Sequence, residues 1–151
     1  MNPFKSHMNT ALTEARLAAK RGEVPVGAVI VAPDGRIVSR AGNRTRELND
    51  PSAHAEMLAI RMACGIIGSE RLIGHSIYVT LEPCAMCAAA ISLARLERLY
   101  FGASDPKSGG VLAGARVFEH QQCHHRPDVY SGIAESECSA LLADFFAARR
   151  I

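Results

Sequence analysis

The sequence lacks any apolar run long enough to cross a membrane, which takes roughly 20 consecutive residues. Its first ten residues also lack the apolar core of a secretory signal peptide. Internal repeats, linkers and low-complexity tracts are absent too, so the 151 residues predict one domain, 1–151, with a proper core. We therefore expect a cytoplasmic protein, in which thiols stay reduced.

The sequence also lacks a strong charge of either sign. A net charge of +2 is compatible with a nucleic-acid partner, but dedicated nucleic-acid binders usually carry a stronger basic bias. The composition, 48% hydrophobic and 21% charged, is ordinary for a globular protein and argues against disorder. Net charge and composition therefore do not indicate a function, and only sequence motifs can.

Segments with strand and helix patterns alternate along the chain. The predicted strands are apolar and often β-branched, and they cover 24–31, 36–43, 76–81, 98–102 and 128–133. The predicted helices cover 5–21, a segment from Ser52 towards Gly68, a segment from Pro83 to about Leu96, and 135–150. A Pro-Asp-Gly turn joins the first two strands as a hairpin. This alternation predicts an α/β fold in which helices cover a sheet.

Two short motifs could together bind a metal ion. In "TLEPCAMC" (80–87), Cys84 and Cys87 lie three residues apart at a predicted helix start, so both sulfurs can reach one ion. In "AHAE" (53–56), His54 offers a third ligand in the first turn of the preceding helix. Helix N-termini carry a partial positive charge that favours thiolates.

Glu56 follows His54 by two residues, and positions two apart do not share a helix face. Both side chains can therefore serve one site only if the helix end points at the metal. Three protein ligands leave the fourth position of a tetrahedral zinc to water. Glu56 is then placed to move a proton to and from that water.

Two other uses of the cysteines stay open at this point. A CxxC pair in a cytosolic protein can be a redox pair, although that use does not need His54. A structural zinc site would need a fourth close ligand, which Cys123, His124 or His125 could supply. The joint pattern of H-A-E and P-C-x-x-C is more specific than either half.

With these residues the sequence resembles the cytidine/deoxycytidylate deaminase superfamily, and within it the bacterial tRNA-specific adenosine deaminases. The superfamily signature is H-x-E followed by P-C-x-x-C. The likeness runs from "EVPVGAVIV" (23–31) through "FGASDPKSGG" (101–110) to "LLADFFAARR" (141–150), which is nearly the whole chain. It implies a three-layer α/β/α fold with a five-stranded mixed sheet.

The resemblance also implies an activity and a site. One zinc ion per subunit would be held by His54, Cys84 and Cys87, with Glu56 as the proton carrier. The reaction would be hydrolytic deamination of adenosine to inosine at the wobble position of a tRNA anticodon, by a homodimer. The residues implied in substrate binding are Asn43 for the purine, the backbone amides of Ala55 and Cys84 for the leaving group, and Asp105 and Lys107 for flanking nucleotides.

Two alternative functions remain at this stage. The same fold and chemistry serve free-base or nucleoside deaminases of guanine or cytosine type. A zinc-stabilised RNA-binding module without catalysis is a third reading, against which Glu56 argues, because a structural site has no use for that carboxylate.

Overall fold

A five-stranded sheet forms the centre of the computed structural model, which describes residues 6–149. The strands are β1 (Gly27–Val31), β2 (Ile37–Gly42), β3 (Ser76–Leu81), β4 (Arg98–Ala103) and β5 (Asp128–Tyr130). Their order across the sheet is β2-β1-β3-β4-β5. β1 runs antiparallel to β2 and β3, whereas β3, β4 and β5 are parallel. The mixed five-stranded sheet expected from the resemblance is confirmed.

Helices cover both faces of this sheet. They are α1 (Met8–Lys20), α2 (Ala55–Ile67), α3 (Ala85–Leu93) and α4 (Glu135–Ala148), and a 3-10 turn at Val117–Glu119 precedes β5. α2 and α3 pack on one face and α1 and α4 on the other, which gives three layers. Across the described residues, no helix combines the length and the apolar character that a membrane span requires.

Alternating side chains of β1 build the two cores. Ala28 and Ile30 belong to the buried cluster under α2 and α3. Val29 and Val31 belong to the cluster under α1 and α4. Because a strand points successive side chains to opposite faces, a continuous apolar run is what a strand covered on both sides requires.

The first strand begins at Gly27, three residues later than the sequence predicted. Pro25 has no N–H to give to a ladder, and the Val26 N–H turns back to the Val24 carbonyl at 2.8 Å. At Gly27 the strand passes against α1, where an added Cβ would overlap the Ala11 carbonyl oxygen. Glycine is therefore required for the close approach of α1 to the sheet.

Several helix ends also differ from the predicted ones. His54 and Cys84 are the N-caps of α2 and α3, so Pro83 lies before the helix rather than in its first turn. α3 ends at Leu93, and Arg95 follows in a left-handed conformation (φ 61°). α2 ends at Ile67, and the predicted stop signal Gly68 is its C-cap, in a left-handed conformation with φ 78°.

The first helix, the last strand and the last helix lie within the segments that the sequence predicted for them. The last strand is shorter than 128–133, because Gly132 bends the chain at φ 77°. Lys5 and Arg150, which the sequence placed in the first and last helices, lie outside the described residues.

Candidate metal centre and its pocket

The N-termini of α2 and α3 meet at one point, and their N-cap residues carry two of the predicted ligands. His54 and Cys84 both have extended backbones, with φ/ψ of −74°/152° and −70°/175°. Neither side chain caps its own helix, so both turn towards a shared centre. The sequence required a helix end that faces the metal, and this is the arrangement found.

The three predicted ligand atoms lie at distances that suit zinc. His54 Nδ1 is 3.6 Å from Cys84 Sγ and 3.5 Å from Cys87 Sγ. A tetrahedral zinc with Zn–N near 2.0 Å and Zn–S near 2.3 Å would hold its nitrogen and sulfur about 3.5 Å apart. All three atoms lie within 4.8 Å of one another, and no second His/Cys/Asp/Glu group of this kind occurs within residues 6–149. The donor set therefore fits zinc.

The low pKa of Cys84 favours its thiolate form, which is the form that binds a metal ion. A hydrogen bond from the Cys87 thiol, helped by His54, lowers the pKa of Cys84 to about 4. The same bond, together with burial, raises the pKa of Cys87. The two sulfurs thus share one proton, which a metal ion would displace on binding. The neighbouring Cys84 sulfur raises the pKa of His54 in turn.

Glu56 lies in the first turn of α2 and is buried beside this centre. Burial raises the pKa of its carboxyl group to about 7. A carboxyl group that titrates near neutrality can both accept and release a proton during a reaction cycle. Its position and its acidity are those of a general acid/base.

A pocket of about 260 Å³ opens on these residues. His54, Glu56 and Cys84 line one side. The apolar side chains on its wall are Val24, Val26 and Leu81. A small concave site with one apolar wall and a few converging polar groups is typical of small-ligand recognition.

Asn43 follows β2 directly and lines the same pocket. Its Oδ1 accepts the backbone N–H of Ala55 at 2.8 Å. That N–H is therefore engaged within the protein, which differs from the expected role of the Ala55 amide at the leaving group. The contact also orients the Asn43 amide, because it fixes the position of Oδ1 and leaves Nδ2 to donate to a ligand.

Asp105 and Lys107 stand in the loop after β4 but face different spaces. Asp105 lines the pocket, and its Oδ1 accepts the N–H groups of Lys107 and Ser108 at 3.2 and 3.0 Å. Lys107 lines an adjoining pocket of about 550 Å³, which Asp105 shares and which Phe146 of α4 borders. Of these two residues, only Asp105 lines the pocket that contains His54 and Glu56.

Cys123 is not brought to the candidate metal centre. Its sulfur lies 3.4 Å from Ser92 Oγ and donates to the His125 carbonyl at 3.1 Å. A four-ligand structural site built with Cys123 is therefore wrong. His54, against both sulfurs of the CxxC pair, favours a metal site over a redox pair.

Glu82 also lines the pocket, although the predicted site residues do not include it. Its side chain is only 3% exposed although it carries a carboxylate. The available signal was an acidic residue that closes an apolar strand directly before a ligand motif. A buried carboxylate there must be satisfied by donors from another segment.

Known proteins are similar to this chain in sequence and structure. The tRNA-specific adenosine deaminase of Agrobacterium fabrum is 61% identical over 144 residues, which cover 95% of this chain and 94% of that protein. A solved structure from studies of A-to-I editing by tRNA:A34 deaminases at the wobble position is 63% identical, with a TM-score of 0.88 over 89% of this chain and 97% of that one. The guanine deaminase of Bacillus subtilis is 28% identical, with a TM-score of 0.64 over 97% and 98% of the two chains.

A family model agrees with the geometry of the centre. The model of the cytidine and deoxycytidylate deaminase zinc-binding region matches residues 1–103, which include both metal motifs. The chain belongs to the cytidine and deoxycytidylate deaminase family.

Proposed function

We propose that this chain converts adenosine to inosine at the wobble position of a tRNA anticodon by zinc-dependent hydrolysis. The observation that carries the proposal is the buried Glu56 carboxyl beside a three-ligand zinc site in a base-sized pocket. The choice of substrate is supported by the name of the Agrobacterium relative at 61% identity, against 28% for a guanine deaminase.

His54, Cys84 and Cys87 would hold the zinc ion. The ion, when bound, supplies an acidified water molecule as the nucleophile. Two thiolates and one neutral imidazole balance its charge, and three protein ligands leave one position for that water.

Glu56 carries protons during the reaction. Hydrolysis adds the oxygen of water to C6 of adenine and releases the exocyclic amino group as ammonia. The water must lose protons and the departing nitrogen must gain them. A buried carboxyl group with a pKa of about 7 can perform both transfers at neutral pH.

Asn43 orients the base in this proposal. Because its Oδ1 is held by the Ala55 N–H, its Nδ2 donates to a ring nitrogen of the purine. Val24, Val26 and Leu81 pack against the ring. Asp105 and Lys107, further out, contact the neighbouring nucleotides.

An unpaired loop base suits this pocket. An adenosine in an anticodon loop leaves its stack at low cost, whereas a paired base must also break its pair. RNA loops are recognised through splayed bases and 2′-hydroxyls rather than a duplex groove. We also place the enzyme in the cytoplasm, because thiolate ligands need a reducing compartment.

We propose further that the enzyme is a homodimer. α2 and α3 expose apolar side chains on the face that they present outward: Met62, Ile66 and Leu93. Leu93 is 68% exposed. Exposed apolar surface of this kind is typical of protein interfaces. We propose that a second copy of this chain covers this apolar surface.

The first prediction concerns the metal. Cys84→Ala removes a ligand, so the purified protein should lose the one zinc ion per chain that wild type holds. Metal analysis by mass spectrometry measures the zinc content. Cys64→Ala, which changes a half-buried cysteine outside the centre, serves as the control and should keep its zinc. Full zinc retention by Cys84→Ala would refute this ligand set.

The second prediction concerns Glu56. Glu56→Gln keeps the shape of the side chain and the zinc ligands but cannot carry the proton. Its kcat should fall by roughly 100- to 10,000-fold while the zinc content stays at the wild-type level. Glu70→Gln, at an exposed glutamate, should leave kcat unchanged. A Glu56→Gln enzyme with near-normal kcat would show that the carboxylate has no such role.

The third prediction tests the substrate. We expect efficient inosine formation in an anticodon stem-loop with adenosine at the wobble position. The same sequence held in a duplex should react slowly, and free adenosine and free guanine should hardly react. Chromatography of digested products measures inosine, and Glu56→Gln protein controls for contaminating deaminases. Equal rates on free guanine and the stem-loop would favour a small-molecule deaminase instead.

The fourth prediction tests the homodimer. Wild-type protein should sediment as two chains at micromolar concentration. Leu93→Glu places a charge in the proposed interface and should shift the mass to one chain. Leu17→Glu, at an exposed residue of α1 on the opposite face of the sheet, should remain a dimer. A one-chain mass for wild type would contradict the proposal.

A further inference from the structure

We propose that Glu82 is a positioning residue that fixes the rim loop, residues 104–113, at the mouth of the pocket. The inference rests on the proposed function for the identity of the substrate. Its structural basis, a buried carboxylate wrapped by that loop, is independent of the substrate.

The rim loop closes around the carboxylate of Glu82 with its backbone. Oε1 accepts the N–H of Asp105 at 3.0 Å. Oε2 accepts three further N–H groups, from Val111, Leu112 and Ala113, at 3.1, 2.8 and 3.0 Å. Both ends of the loop are thereby tied to one side chain, which follows β3 and precedes Cys84. Hydrogen bonds to an ionised acceptor are stronger than those between neutral groups.

Two glycines allow the loop to approach so closely. A Cβ on Gly109 would lie 2.6 Å from Glu82 Cδ and 2.7 Å from its Oε2. A Cβ on Gly110 would lie 2.6 Å from the Ala85 nitrogen at the start of α3. Any larger residue would push the loop away from the carboxylate or from the helix. The Gly-Gly pair therefore serves the packing of the rim loop.

The side chains that this loop carries are those that face the substrate. Asp105 and Ser108 line the pocket, and Lys107 lines the adjoining space. Asp105 Oδ1 accepts the N–H groups of Lys107 and Ser108, so the position of this turn follows that of Asp105. The position of Asp105 depends in turn on the bond between its N–H and Glu82 Oε1.

Glutamine cannot replace Glu82 in this role. An amide has one acceptor oxygen and one NH₂ group, whereas the loop offers donors to both oxygens. If the amide oxygen accepts from Val111–Ala113, the NH₂ group opposes the Asp105 N–H and releases that end of the loop. The zinc ligands and Glu56 stay in place. The defect should therefore lie in binding and not in the chemical step.

We expect Glu82→Gln to raise the KM for the anticodon stem-loop about tenfold, which is about 1.4 kcal/mol, with kcat within a factor of about three. Zinc content should equal that of wild type. Hydrogen exchange followed by mass spectrometry should show faster exchange in peptides that cover 104–113. Glu119→Gln, at an exposed glutamate just beyond the loop, is the matched control and should change none of these values.

The outcomes separate this inference from the proposed function. An unchanged KM, a loss confined to kcat, or unchanged exchange in 104–113 would overturn the role of Glu82. A wild-type enzyme that does not deaminate the stem-loop would instead overturn the proposed substrate, and the exchange experiment would still test the role of Glu82 in holding the loop. If Glu82→Gln does not fold, Gly109→Ala decides by the same criteria, because its Cβ displaces the loop while the carboxylate remains.

Discussion

The structure depends on the meeting of two helix N-termini at the end of the central strand β3. α2 and α3 begin with His54 and Cys84, whose side chains turn to one point instead of capping their own helices. The positive ends of both helices favour the thiolates that hold a metal. β3 is flanked by β1 and β4, so the residues that follow it start from a rigid position. If the candidate ligands lay on two loops, their positions would be fixed less precisely.

Three buried glutamates show how surroundings decide the role of one residue type. Burial raises the pKa of Glu56 to about 7, since few donors oppose it. Burial also tends to raise the pKa of Glu23 and Glu82, but backbone N–H donors outweigh it and hold both pKa values below the usual range. Glu23 accepts the N–H groups of Arg46 and Glu47, in the segment that follows Asn43. Glu56 can thus exchange protons. Glu23 and Glu82 remain charged and hold the backbone segments whose N–H groups donate to them.

The sequence predicted most of the fold, and it brought the three candidate ligands together correctly. Apolar runs and helix signals are local, so β3 was right to the residue and the hairpin of β1 and β2 was right in kind. Contacts that depend on another segment were not visible. The start of β1 at Gly27 is set by α1, and the environment of Glu82 is set by a loop more than 20 residues away. Neither constraint produces a periodic pattern in the sequence, so neither could be predicted from it.

The hydrogen bond between Asn43 and Ala55 links the end of β2 to the start of α2. Ala55 is the first residue of α2 and follows the ligand His54, while Asn43 follows β2 at an edge of the sheet. Their hydrogen bond therefore joins the strand that precedes Asn43 to the helix that carries Glu56 and begins after the candidate ligand His54. A shift of β2 would move Asn43 relative to His54 and Glu56 and strain this bond. Arg21, which donates to the Asn43 carbonyl at 3.1 Å, adds a tie to α1. Asn43, His54 and Glu56, which line one pocket, are thus held in one frame by hydrogen bonds between side chains and backbone.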